Sequence, residues 1–78
     1  MIQSINLTNY IDRYIDKEVR YILTCEIRLD KKTILEILQC DIITLNGIYY
    51  EVPEKFLLSC LVNKKFGNTL IELVEKID

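Results

Sequence analysis

The chain lacks histidine altogether and carries one proline and two glycines, Gly47 and Gly67, among its 78 residues. Without histidine the commonest general base and zinc ligand is missing. Cys25, Cys40 and Cys60 are too widely spaced to form a C-x-x-C pair in its place. Two isolated glycines cannot build a glycine-rich phosphate loop, and no paired-carboxylate motif stands ready for general acid–base work. The residues therefore point away from an enzyme: no catalytic group, no metal ligand set, no cofactor and no small-molecule substrate is expected.

Excess charge is also scarce. Ten basic residues face twelve acidic ones, a net charge of −2, which is no electrostatic footprint for duplex nucleic acid. No segment approaches the length of a bilayer span, and Met1-Ile2-Gln3-Ser4-Ile5-Asn6 has neither a basic start nor an apolar run. A soluble, non-secreted protein with no membrane partner is the expectation. The cysteines are odd in number and set among apolar residues, which fits buried free thiols in a reducing compartment.

What is present suits one small domain spanning residues 1–78. Half the residues are hydrophobic, enough for a single core, but a chain this short has a thin stability margin that a partner covering apolar surface would widen. Asn6 and Thr8 are good helix caps, and Leu7, Tyr10, Ile11, Tyr14 and Ile15 recur on one helical face, which predicts a helix over about 8–15. From Val19 the period becomes two. Val19, Tyr21, Leu23, Cys25, Ile27 and Leu29 alternate with Arg20, Thr24, Glu26, Arg28 and Asp30, interrupted only by Ile22, and predict a long strand over 19–29 with one buried face.

Residues 33–40 fit two templates. Ile34, Leu35, Ile37 and Leu38 suit a helix capped by Asp30. A strand is favoured because a short turn after a long strand most often returns antiparallel. Asn46-Gly47 is a strong hairpin signal, followed by a strand over 47–52 that Pro53 ends. Tyr49 and Tyr50 must then point to opposite faces, so that one of them can lie outside. The apolar run 56–63 is read as a strand although a buried helix also fits, Lys64 to Asn68 forms a turn, and 69–75 is read as the last strand although Leu70, Ile71, Leu73, Val74 and Ile77 fit a helical stripe about as well. One helix and five strands with short turns are what a small closed barrel requires, so the expected class is mainly β.

With that order, the chain resembles the Sm-like family. "YIDKEVRYIL" at Tyr14 to Leu23 is similar to the junction of the N-terminal helix and first strand in Sm and LSm proteins, and "FGNTLIEL" at Phe66 to Leu73 to the motif leading into their last strand. Asp41 and Asn46 resemble the aspartate and asparagine of the first Sm motif, with one extra residue between them. That wider spacing, with the "YI-KEVR" start, is most similar to the sixth and seventh Gemins, Sm-like subunits of the survival-motor-neuron complex. The resemblance spans Leu7 to Asp78. It departs at Phe66, where RNA-binding Sm rings carry an arginine, and in lacking a glycine in the second strand.

The resemblance implies a five-stranded Sm-like (SH3-like) barrel whose fourth and fifth strands pair with neighbouring subunits. It also implies a heterodimer with another Sm-like protein, cytoplasmic and nuclear, indirectly associated with small nuclear RNA and Sm proteins during assembly of spliceosomal ribonucleoproteins. The interface would be Phe56, Leu58, Cys60 and Val62 on one edge and Leu70, Glu72 and Val74 on the other, edges that no internal proline or lysine blunts. The plainer reading of the leucines there is that they fill the core. Any RNA contact would fall on Asn46, Lys64, Lys65, Phe66 and Asn68, although two lysines in a turn are usually solvated. Three alternatives stand beside it: a ring subunit binding uridine-rich RNA, an OB-fold subunit of a single-strand DNA-binding complex, and a winged-helix domain if Asp30 to Gln39 is helical.

Overall fold

A computed structural model describes residues 3–16 and 21–77. The chain runs β1 (Ser4–Asn6), a 3-10 turn (Thr8–Tyr10), β2 (Ile11–Asp16), β3 (Ile22–Leu29), α1 (Lys31–Leu38), β4 (Ile42–Leu45), β5 (Ile48–Glu51), α2 (Glu54–Val62) and β6 (Gly67–Val74). It is mainly β, but its strands form two three-stranded sheets, ordered β1-β4-β5 and β2-β3-β6, that do not close into a barrel. Among the described residues the sheets meet at one bridge, Tyr50 to Glu75, where the Lys76 N–H donates to the Tyr49 carbonyl at 2.8 Å.

The strongest alternation in the sequence behaves as expected from Leu23 to Leu29, but Tyr21, expected on its buried face, precedes the strand at φ 69° and is 55% exposed. Leu23, Cys25, Ile27 and Leu29 all point inward from β3, and β6 pairs antiparallel with it in unbroken register from Leu29 opposite Gly67 to Ile22 opposite Val74. The expected start of that strand at Val19 and Arg20 lies outside the described residues, as do residues 17–20 of the "YIDKEVRYIL" stretch. The hairpin also forms: Asn46 (φ 51°) and Gly47 (φ 81°) both take positive φ, the geometry of a two-residue turn whose twist matches its strands, and Leu45 faces Ile48 across it. Tyr50 is buried beside Ile43, and Tyr49 faces out opposite Thr44.

Three expected elements are different. The helix over 8–15 is a single 3-10 turn followed by a strand. Asn6, expected as a cap, makes a local turn instead, its Oδ1 accepting from the Thr8 N–H at 2.9 Å and the Thr8 hydroxyl at 2.6 Å, while Leu7 holds the N-cap position without a capping side-chain bond. The turn does not propagate because Ile11 to Asp16, rich in β-branched and aromatic residues, finds β3 to pair with. Two register shifts in that pairing, between Ile11 and Arg13 and between Tyr14 and Asp16, break the alternation and leave the sequence pattern looking helical.

Residues 33–40, expected as a strand, lie in α1 and its C-cap Gln39, with Cys40 just beyond. Asp30 is extended and its carboxylate accepts from the Thr33 N–H at 2.7 Å, satisfying a donor the first turn leaves open. Ile34 and Ile37 then bury on the core side while Leu35 faces outward. Residues 56–63, also expected as a strand, lie in α2 and its C-cap. Glu, Lys, Phe, Leu and Ser fill this segment, with a β-branched residue only at Val62, so helix costs little. Leu57 and Cys60 are its buried residues. The helix closes with a six-to-one bond from the Lys65 N–H to the Cys60 carbonyl (2.9 Å) and a five-to-two bond from Lys64 to Leu61 (3.3 Å), with Lys64 held at φ 52° where glycine is usual. The helical condition set for a winged helix is thus met at α1. Its topology is not, because β4 and β5 separate the two helices that a helix-turn-helix joins directly.

One core unites these parts: Leu7, the inward residues of β3, Ile34, Ile37, Ile43, Leu45, Tyr50, Leu57, Cys60, Ile71 and Leu73. No buried side-chain polar atom among the described residues lacks a partner.

Two outcomes follow. Leu57→Ala is expected to lower unfolding free energy in urea by about 2–5 kcal/mol, whereas Leu58→Ala, one position on and outward, changes it by no more than about 0.5 kcal/mol. The Asp30 carboxyl sits below its ordinary value of 3.8, chiefly because it accepts the Thr33 backbone N–H. A depressed folded value means the stabilisation is present above the unfolded value and lost as pH falls through the folded one. Asp30→Ala is therefore expected to lower the melting temperature by several degrees at neutral pH, Asp30→Asn to restore most of it, and the gap between wild type and Asp30→Ala to narrow in acid.

Candidate protein-interaction edge

The antiparallel ladder dictates which backbone groups of β6 are used. The Glu75 N–H donates to the Tyr21 carbonyl at 2.6 Å, so Tyr21 and Glu75 form a hydrogen-bonded pair, and alternation makes Leu23–Leu73, Cys25–Ile71 and Ile27–Thr69 the same. The intervening residues, Asn68, Leu70 and Glu72, turn their N–H and C=O groups away from β3. Among the described residues β6 packs closely only on β3 and, at its C-terminal end, on β5. From Asn68 to Glu72 it is an open edge.

The other sheet edges are poorer templates. β1 has three residues and β5 four. β2 carries Asp12 and Arg13 and is broken twice in register, both of which blunt an edge. β6 is eight residues long, regular throughout, with Glu72 its single charge and no proline or lysine.

The structure divides the expected interface residues in two. Leu70, Glu72 and Val74 do share one exposed face of β6, with Leu70 56% and Val74 44% exposed. Phe56, Leu58 and Val62 are exposed too, but on α2, where backbone groups are spent within the helix and no strand edge exists. Cys60 is buried in the core and is no contact residue. The expected pairing of 56–62 with a neighbour's strand is therefore not available, since an added strand requires free N–H and C=O groups.

The expected RNA contacts are scattered over separate elements. Asn46 lies in the β4–β5 turn, Lys64 and Lys65 in the α2–β6 turn, and Phe66 is exposed just before β6. Asn68 is already engaged on the outer sheet face. Its Oδ1 accepts from Arg28 Nε at 3.4 Å and its Nδ2 donates to Glu26 Oε1 at 3.5 Å, while Glu26 Oε2 meets Arg13 at 3.5 Å. This Arg13–Glu26–Asn68–Arg28 row was not anticipated as a unit. The polar side of the β3 alternation held its signal, but only the β3–β6 register brings Asn68 beside Arg28.

A polar cleft of about 450 Å³ opens between Asn9, Tyr10, Asp12, Arg28, Asp30 and Thr33. Its groups serve structure: Asp30 caps α1, the Tyr10 hydroxyl donates to Glu36 Oε2 at 3.3 Å, and Arg28 holds Asn68. The neighbouring Glu36 carboxylate raises the Tyr10 hydroxyl above its ordinary range, which disfavours proton release. Among the described residues no three His, Cys, Asp or Glu side chains gather as a metal site, and no helix is long and apolar enough to cross a membrane.

Two thiols, Cys25 and Cys40, are held protonated. Burial pushes Cys25 up to about 11. Cys40 is raised by burial and by the Asp41 and Glu36 carboxylates, and its thiol donates to the Glu36 carbonyl at 3.4 Å.

No family model matches the chain, and no curated protein or solved structure is significantly similar to it.

Thiol titration checks this arrangement. At pH 8 an aromatic disulfide reagent is expected to leave Cys25 and Cys60 unmodified in the folded protein and to label Cys40 slowly, with all three reacting rapidly in denaturant. Rapid labelling of Cys25 without denaturant would contradict the buried β3 face.

Proposed function

We propose that this chain is a non-enzymatic interaction subunit that binds another protein by adding a strand to the edge of β6. The observation that carries the reading is the pairing of two properties on one strand. Asn68, Leu70 and Glu72 present backbone groups away from β3, and Leu70 and Val74 present apolar side chains beside them. Main-chain bonds supply affinity in strand addition, and alternate side chains supply selectivity. Covering Leu70 and Val74 removes apolar surface at roughly 25 cal/mol per Å².

A narrower form of the reading is a Gemin-like subunit that assists assembly of spliceosomal ribonucleoproteins through an Sm-like partner. It draws on the resemblance at Tyr14 to Leu23 and Phe66 to Leu73, and β6 covers the segment in which that resemblance puts the last strand. Its support is confined to those stretches, because the second edge it requires, 56–62, is helical.

Purification of the tagged chain from its native cells, with mass-spectrometric identification of co-purifying proteins, tests both. A stoichiometric partner is expected that Leu70→Lys reduces about tenfold or more and Leu58→Lys leaves in place. Recovery of Sm proteins and Gemins supports the narrower form, and single-strand DNA-binding subunits point to the OB-fold alternative. A partner insensitive to Leu70→Lys rules out the β6 edge.

A further inference from the structure

The residues along β6 also say what can sit on the edge when no other protein does. An isologous contact requires that a strand match itself read backwards. With N–H and C=O groups facing outward at Asn68, Leu70 and Glu72, two copies of β6 can exchange hydrogen bonds only where these residues oppose one another. Centring the two-fold axis on Leu70 puts Leu70 against its own copy and Asn68 against Glu72 on both sides. Apolar meets apolar, and the strand's single carboxylate faces a neutral side chain rather than its own copy. The pairing ends at Glu72, because beyond it the outward side of β6 is taken by β5 through the Tyr50–Glu75 bridge.

Other registers are worse. A shift of two residues one way sets Glu72 against Leu70 and Asn68 against Val74. The same shift the other way sets Asn68 against Leu70 and Glu72 against Phe66. Moving the axis to Glu72 opposes two like charges, which is destabilising in directly facing pairs. The twelve acidic and ten basic residues leave so little net charge that two copies repel only weakly. Antiparallel joining of two β2-β3-β6 sheets would yield one six-stranded sheet with the blunted β2 at each outer edge.

We infer that in the free protein the β6 edge is occupied by β6 of a second copy, antiparallel about a two-fold axis at Leu70, so that self-pairing competes with partner binding. This inference rests on the strand-addition reading and names what fills the edge in the partner's absence.

Two measurements on the full chain test it. Sedimentation equilibrium should give twice the monomer mass at high concentration, with Leu70→Lys raising the dissociation constant about tenfold or more and Leu58→Lys leaving it unchanged. Amide hydrogen exchange by NMR should show Asn68, Leu70 and Glu72 protected in concentrated protein and released on dilution, while Thr69 and Ile71, bonded to β3, stay protected throughout. The exchange experiment needs no substitution and decides the matter if Leu70→Lys fails to fold. A monomer at every concentration overturns self-pairing, as does a dimer whose three outward amides exchange freely. Should the chain be monomeric while Leu70→Lys still abolishes capture of a cellular partner, self-pairing is overturned and strand addition survives. A dimer with protected amides and no cellular partner supports self-pairing and overturns the wider proposal.

Discussion

The β3–β6 ladder is the constraint on which the rest of this small protein depends. It joins a strand from the first half of the chain to the last strand in eight consecutive residue pairs, and from it Leu23, Cys25, Ile27, Leu29, Ile71 and Leu73 face one side. The rest of the buried core gathers with them: α1 through Ile34 and Ile37, α2 through Leu57 and Cys60, and the small sheet through Ile43, Leu45 and Tyr50. Such non-local pairing is slow to form because loop-closure entropy is lost before any contact compensates it. Short local devices lighten that burden, namely the Asn46-Gly47 turn, the Asp30 cap and the closing bonds of α2.

The same ladder creates the candidate site. A strand paired on one side leaves half its backbone groups facing the other, and β6, last in both the chain and its sheet, has little on its outward side until Lys76 reaches Tyr49. Proteins commonly protect such edges with charge, proline or irregular register. β2, at the opposite edge of the sheet, uses charge and irregularity; β6 uses neither over Asn68 to Leu73 apart from Glu72. The contrast between two edges of one sheet is what supports reading β6 as a binding edge.

Much of this was legible in the residues. The alternation over Leu23 to Leu29, the hairpin at Asn46-Gly47 and the opposed faces of Tyr49 and Tyr50 were readable because each depends on local period or turn chemistry, whereas the last strand fitted a helical stripe equally well and only its pairing with β3 settled it. The two helices were readable only as alternatives. In segments as short as α1 and α2, leucine and isoleucine runs satisfy both periods, and the arbiters were small: a carboxylate at Asp30 for α1 and scarce β-branching for α2. The helix expected over 8–15 failed for the opposite reason, since two bulges in β2 destroyed the period that would have revealed a strand.

By itself the sequence determined the balance of charge, the absence of histidine chemistry, the buried face of β3 and the positive-φ turn, because these follow from residue identity and immediate neighbours. Tertiary structure alone decided that 56–62 coils rather than pairs, that Asn68 meets Arg28 and Glu26, and that β6 ends a sheet with one side open. Those outcomes depend on which distant segment fills a given space, and the energy that selects among them comes from packing and register rather than from local preference.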